Sequence, residues 1–298
     1  MPLTFNHIGI LARNHDPRVQ QTLAPLVEHL LQRGARVLVD DAAALDNNEV
    51  EHCPTHKLGS QCDLVVVIGG DGTLLDAARL VAAHQTPLLG VNLGRLGFLV
   101  DVLPRDMTAA LDQVLAGHFI RKPRIRLTAH VMRANGDDDS AVFHALNECV
   151  IRNQEFARIL EFDTYMHDNF ISHHRADGIV VATPTGSTAY ALSGGGPVMH
   201  PEMAALAMVP ICPHSLADRP LIVDANRRIE VRISDSHDGA ALFTTDGRDT
   251  RPLAPGDRVF IERAEQDLIL IHPPDYDYFH ILRNKLAWGR DLSSSRTV

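Results

Sequence analysis

The hydrophobic period of this chain changes at "RKPR" (121–124), and that change limits what it can fold into. Before it, apolar runs of strand length alternate with stretches of helical spacing. "HIGILA" (7–12), "ARVLVD" (35–40), "CDLVVVI" (62–68) and "PLLGVN" (87–92) are the apolar runs. After Pro17, the residues Val19, Leu23, Leu26, Val27, Leu30 and Leu31 follow a helical period, and Gly34 stands where a C-cap is expected. Further helices are predicted over 73–84 and from Pro104 to about Gly117, while the polar stretch 41–61 reads as a loop or irregular insert. Continuously apolar strands must be covered on both faces. The pattern predicts a Rossmann-like α/β domain with a parallel sheet between helices.

After "RKPR" the texture is strand-length and alternating. "IRLTAHVMR", "HALNECVIR", "LEFDTYMHD", "RRIEVRIS", "ALFTTD", "DRVFIERA" and "DLILIHP" are punctuated by Gly, Asp, Asn and Pro. This predicts an antiparallel β domain of the sandwich type. The expected division is 1–123 as a nucleotide-binding α/β domain and 124–274 as a β-rich domain, with the tail 275–298 helical around 278–287 and packed back on the first.

Bulk properties exclude several functions. A net charge of −9 argues against a general nucleic-acid or anionic-membrane surface. No run approaches the roughly 18 apolar residues of a membrane span. The four cysteines form no C-x-x-C and no secretory pattern opens the chain, so a reduced, cytoplasmic protein is expected. His52, Cys53, His56 and Cys62 match no zinc spacing, so no metal-ligating residues are assigned.

The chemistry-bearing stretches begin with "IGGDGTLLDAARLV" (68–81). Gly69, Gly70 and Gly72, with Thr73, sit between a buried strand and a helix, where backbone N–H groups and the helix dipole can meet a phosphate. Yet Asp71 places a carboxylate among them, and neither a Walker loop nor G-x-G-x-x-G is present. A second glycine-containing stretch, "GVNLGRLGFL" (90–99), could reach the same crevice, and its Phe98 is either a flat surface for a ligand or a core residue. The strongest feature is "RADGIVVATPTGSTAYALSGGGPVMHP" (175–201), which gathers hydroxyls and glycines around Tyr190. Hydroxyls and amides suit a polyphosphate, Tyr190 suits a stacked base, and Asp177 suits ribose hydroxyls. Asn147 and Glu148 are adjacent in strand-like "HALNECVIR"; to share a ligand they need a bend or a strand end.

With these stretches in this order, the chain resembles the bacterial NAD kinases. "GGDGT" (69–73), "GRLGFL" (94–99), "NE" (147–148), the block 177–201 and "DGR" (246–248) carry a resemblance that spans roughly residues 5 to 290. It implies transfer of the ATP γ-phosphoryl group to the 2′-hydroxyl of the adenosine ribose of NAD, giving NADP and ADP, with a divalent ion such as Mg²⁺ accompanying ATP. Asp71 is then the proton acceptor, beside Gly72. NAD contacts are implied for Asp71, Gly72, Phe98, Asn147, Glu148, Arg158, Arg175, Asp177, Thr188, Ala189, Tyr190, Ala191, Leu192, Ser193 and Arg248. The resemblance also implies a homotetramer or homodimer, and "IHPPDYDYF" (271–279) is similar to a Gram-negative branch that prefers NAD over NADH. Other readings stay open. Lipid and sugar kinases carry a similar Gly-Gly-Asp element, and a non-catalytic NAD-sensing module could keep the binding loops.

Overall fold

The structure is a computed structural model that describes residues 3–13, 16–43, 45, 47–94, 97–154, 158–237 and 239–288. Arg95 and Leu96 of "GRLGFL" and residues 289–298 of the tail lie outside the described residues. Two compact units form, one from the residues up to Pro123 together with those from Leu268 onward, the other from Arg124 to Asp267.

The first unit is built on a seven-stranded sheet. Its strands are β1 (His7–Ala12), β2 (Arg36–Asp40), β3 (Glu51–Cys53), β4 (Leu64–Gly69), β5 (Leu88–Asn92), β6 (Ile120–Arg124) and the late strand Leu268–His272. The order is β3-β2-β1-β4-β5, then Leu268–His272, then β6, and the pairings from β3 to β5 are all parallel. Helix α1 (Pro17–Gln32) starts where the Asp16 carboxylate accepts the Arg18 N–H, and Gly34 follows it at φ +83°. Its buried Leu23, Leu26 and Leu30 meet Ile8 and Ile10 of β1 on one sheet face, with Leu111 and Val114 of a helix at Met107–Leu115. The opposite face of β1 carries Gly9, where a Cβ would lie 2.9 Å from Cys62 Sγ and 3.1 Å from Leu58. Helices α2 (Leu58–Gln61) and α3 (Asp71–Val81) cover that side. Both faces are covered, as the apolar strands require.

Two readings of the sequence change here. The stretch 41–61 is not an irregular insert: it holds β3, a 3-10 turn at Thr55–Lys57 and α2. Elements of three and four residues are too short to display a period, although Leu58 and Cys53 are buried. "DLILIHP" reads as an antiparallel strand, yet Leu268–His272 pairs parallel to β5. Four of its five positions are buried, the signature of a strand covered on both faces.

The second unit packs two six-stranded antiparallel sheets. Its strands are β7 (Leu127–Met132), β8 (Asp138–Ala145), β9 (Glu148–Asn153), β10 (Leu160–Met166), β11 (Asn169–Ala176), β12 (Gly178–Ala182), β13 (Ala205–Ile211), β14 (Leu221–Asp224), β15 (Ile229–Ile233), β16 (Ala241–Thr245), β17 (Asp249–Leu253) and β18 (Arg258–Arg263). One sheet runs β11-β10-β15-β18-β7-β8 and the other β14-β13-β12-β9-β16-β17. Phe162, Val231 and Val259 from the first meet Ile151, Ile179 and Phe243 from the second, and Phe143 abuts Phe243 edge-on at 5.2 Å. The second sheet also has a covered outer face. There Val150, Val180, Ala182 and Val209 pack against Ala191 and Met199. Hence "GIVVA" is apolar at every position although its neighbours are antiparallel. "HALNECVIR" is not one strand. β8 stops at Ala145 and β9 starts at Glu148, leaving Leu146 and Asn147 in a bend.

Candidate functional site

In the first unit, β4 leads through Gly70 into α3, so Asp71 is the first residue of that helix rather than a turn residue before it. Gly70 is the N-cap and makes no side-chain capping bond. A carboxylate at this end is favoured by the helix dipole. It is also held from across the sheet end. Asp71 Oδ2 accepts the Phe98 N–H at 2.9 Å, and Oδ1 accepts those of Leu99 and Val100 at 3.1 and 3.2 Å. Gly97 makes that approach possible, because a Cβ there would overlap Asp71 Oδ1. The second glycine stretch therefore does reach the first.

The glycines of "GGDGT" differ in purpose. Gly69 packs tightly on Thr73, whose side chain a Cβ would strike. Among the described residues, nothing lies within 4 Å of where a Cβ of Gly70 or Gly72 would be, and neither has positive φ. Packing and backbone strain do not require glycine at either place. Open space beside helix-terminal amides is what an incoming phosphate needs. Phe98 is half-buried, with Lys285 Nζ 5.8 Å from its ring centroid, so one face of the ring holds a cation.

In the second unit, β12 feeds the turn Thr183–Ser187 and then a short helix at Tyr190–Ser193. Several of its hydroxyls are engaged within the fold. Thr183 Oγ1 donates to the Leu146 carbonyl at 2.6 Å, and Ser187 Oγ donates to the Pro184 carbonyl at 2.6 Å while accepting the Met199 N–H at 3.0 Å. Both are fully buried and hold the fold together. Thr188 Oγ1 donates to the Thr185 carbonyl at 3.2 Å, whereas Ser193 is exposed. Tyr190 is 42% exposed, large for an aromatic with no such need in a core. It lines a cavity of about 390 Å³ with Asp177, Arg158, Asn153 and Ile211, the size range of small-molecule sites. Three of the expected NAD residues thus meet in one place. Asp177 also lies beside Cys212, and its charge pushes that thiol's pKa up.

Arg175 and Arg248 are not among the cavity-lining residues above. Arg175 Nε pairs with Glu161 Oε1 at 3.1 Å on the exposed side of β11, and Arg248 sits in the turn after β16. Asn147 is half-buried, while Glu148 is only 7% exposed and its Oε2 has no hydrogen-bond partner among the described residues. Burial, and then the nearby Asp246 charge, push the Glu148 carboxyl up to about 8. It carries a proton at neutral pH and can donate. Asp246 itself is a residue the sequence reading passed over. "DGR" held the signal, but only the bend between β8 and β9 gives its carboxylate something to bind. It accepts the N–H groups of Leu146, Asn147 and Glu148 at 2.8, 2.9 and 3.0 Å.

Residues 8–119 match the ATP-NAD kinase N-terminal domain and residues 146–272 the ATP-NAD kinase C-terminal domain. The chain is 42% identical over 290 residues to the NAD kinase of Pseudomonas aeruginosa, covering 97% of this chain and 98% of that one. The chain belongs to the NAD kinase family. A crystal structure of yeast NADH kinase complexed with NADH has a TM-score of 0.88 at 25% identity, covering 98% of this chain and 89% of that one. An NAD kinase from Archaeoglobus fulgidus in complex with ATP gives 0.70 at 25% identity, covering 94% and 97%. Likeness along nearly the whole chain, rather than in the Gly-Gly-Asp element alone, sets the lipid- and sugar-kinase readings aside. Among the described residues, no helix is long and apolar enough to cross a membrane.

Proposed function

We propose that the chain exerts its NAD kinase activity by moving the γ-phosphoryl group of ATP to the 2′-hydroxyl of the adenosine ribose of NAD, with Asp71 as proton acceptor. A bond forms between the 2′-oxygen and the γ-phosphorus, the bond to the β-phosphate oxygen breaks, and ADP leaves. The hydroxyl proton goes to Asp71. The observation that carries this reading is the hydrogen bonding of Asp71. A carboxylate has about four acceptor sites; here Oδ1 takes two amides and Oδ2 takes one. Oδ2 keeps room for one hydroxyl, and the amides fix where that hydroxyl must lie. A carboxylate is a weak base, but phosphoryl transfer passes through a loose transition state in which orientation dominates. Asp71 orients first and takes the proton late.

Gly69, Gly70, Gly72 and Thr73 form the phosphate loop in this reading. Asn147, Glu148, Arg158, Arg175, Asp177, the segment Thr188 to Ser193 (with Ala189, Tyr190, Ala191 and Leu192) and Arg248 hold NAD, and Phe98 offers it an aromatic face. The shared cavity of Arg158, Asp177 and Tyr190 supports this most strongly; the other residues named, Asn147, Glu148, Arg175 and Arg248 among them, do not line it and rest on the family resemblance. The divalent ion, Mg²⁺ by expectation, arrives on the phosphates of ATP as part of the substrate. A cytoplasmic location and a preference for NAD over NADH complete the proposal. So does a homotetramer or homodimer built through the β domain, for which the exposed Met203, Leu216, Leu221 and Ile222 near the edge strand β14 speak. Light scattering reads the subunit number.

The test is a coupled assay of purified protein with ATP, Mg²⁺ and NAD or NADH, read by an NADP-specific dehydrogenase. Asp71→Asn should lower kcat at least about 10²-fold, the scale of a lost general base. Full activity in that variant would remove Asp71 from the chemistry.

A further inference from the structure

We propose that Asp246 is a positioning residue for NAD binding: its carboxylate fixes the bend at Leu146–Glu148 and so the places from which Asn147 and Glu148 reach the dinucleotide. The proposal rests on the reading that those two side chains hold NAD. At the bend the chain leaves β8 before it enters β9, and three consecutive N–H groups turn to a side chain for their acceptor. One carboxylate takes all three, Oδ2 from Leu146 and Oδ1 from Asn147 and Glu148. Hydrogen bonds to an ionised acceptor are the strong kind.

The carbonyl side of the bend is held as well. Thr183 Oγ1 donates to the Leu146 carbonyl at 2.6 Å, the Thr183 N–H donates to that of Asn147 at 2.8 Å, and the Asp246 N–H donates to that of Glu148 at 3.0 Å. Gly186 lies so close that a Cβ would overlap the Asn147 carbonyl. The bend is thus clamped between the turn after β12 and the hairpin joining β16 to β17. Asp246 reaches it from φ +49° with Gly247 at φ +68°, left-handed positions that a short Asp and a Gly tolerate. Asparagine would not hold all three, because whichever way its amide is turned the nitrogen faces at least one N–H that needs an acceptor. Glutamate would carry the charge one methylene too far.

The experiment measures NAD dissociation by calorimetry, and KM for ATP and kcat by the coupled assay. Asp246→Asn should weaken NAD binding about tenfold, the scale of a lost charge-assisted hydrogen bond. KM for ATP and kcat at saturating NAD should stay within about threefold of the parent protein, since no reacting atom is touched. Should Asp246→Asn fail to fold, Thr183 decides from the other side of the clamp. Thr183→Val, which loses the hydroxyl, should weaken NAD binding, and Thr183→Ser, which keeps it, should not. Unchanged NAD affinity in a folded Asp246→Asn, or equal affinities in the two Thr183 variants, would overturn the proposal. Asn147→Ala and Glu148→Ala separate this failure from that of the underlying reading. If NAD affinity survives both Asn147→Ala and Glu148→Ala, the bend does not hold NAD; if one of these weakens it while Asp246→Asn does not, the bend binds without the clamp.

Discussion

Asp71 and Asp246 make the same hydrogen bonds in different units of the chain. Each carboxylate accepts three consecutive backbone N–H groups, one on Oδ2 and two on Oδ1, those of residues 98–100 and of 146–148 respectively. Their surroundings differ. Asp71 stands at a helix start between Gly70 and Gly72, whose Cβ positions no described residue approaches within 4 Å, and Gly97 lets the amides close in behind it. Asp246 lies in a hairpin turn, and its charge is felt by the buried Arg126 and Glu148. In the proposed roles, the same clasp serves a catalytic carboxylate in one unit and a positioning carboxylate in the other. On that reading, the surroundings of each carboxylate decide whether it meets a reacting hydroxyl or only shapes the chain.

The largest way to sharpen this contrast lies behind Asp71. In Gly97→Ala the new methyl group displaces the carboxylate while leaving its chemistry intact. Misplacing a catalytic group by roughly 1 Å can cost about 10²-fold in rate. A loss of kcat on that scale with NAD affinity retained is expected; parental kcat in a stable variant would show that the clasp is irrelevant. Tyr190→Ala should do the opposite, weakening NAD binding by roughly 1–3 kcal/mol, as for a lost base–aromatic stack. Calorimetry with unchanged affinity would leave the exposed ring without a ligand.

Glu148 gives the smallest effect and a defined sign. Its carboxyl is raised from 4.5 to about 8, so between those values the folded chain binds a proton that the unfolded chain has released. Stability should then fall as pH rises through that window, the reverse of a salt-bridged carboxylate. NAD affinity should fall as well when the donor proton is lost near the upper end. Glu148→Gln keeps a donor without titrating. Melting curves from pH 5 to about 9 should be flatter for this variant than for the parent by a few degrees, and parallel curves would mean that Glu148 is ionised throughout.

Regularity decided what the sequence could disclose. The strands β1, β2, β4 and β5 and helix α1 are long enough to show their periods, and the change at 121–124 marks the antiparallel unit. Short elements such as β3 and α2 have no period to show, and β14 and β17 lie at sheet edges with mixed burial. The pairing of Leu268–His272 with Leu88 links segments distant in sequence, which no local pattern reveals. In the site, the three glycines, Asp71 and Tyr190 stood out because unusual residues cluster around them. Asp246 and Gly97 did not, since each matters through amides or a carboxylate that only folding brings near. The hydroxyls of Thr183 and Ser187 misled in the other direction, for backbone carbonyls claim them.

The most direct test measures NAD dissociation constants and kcat for Asp71→Asn and Asp246→Asn side by side. Asp71→Asn should bind NAD within about threefold of the parent protein and turn over at least about 10²-fold more slowly. Asp246→Asn should bind NAD about tenfold more weakly and turn over nearly normally once saturated. Two variants with the same signature, both losing affinity or both losing turnover, would contradict the division of roles between these aspartates.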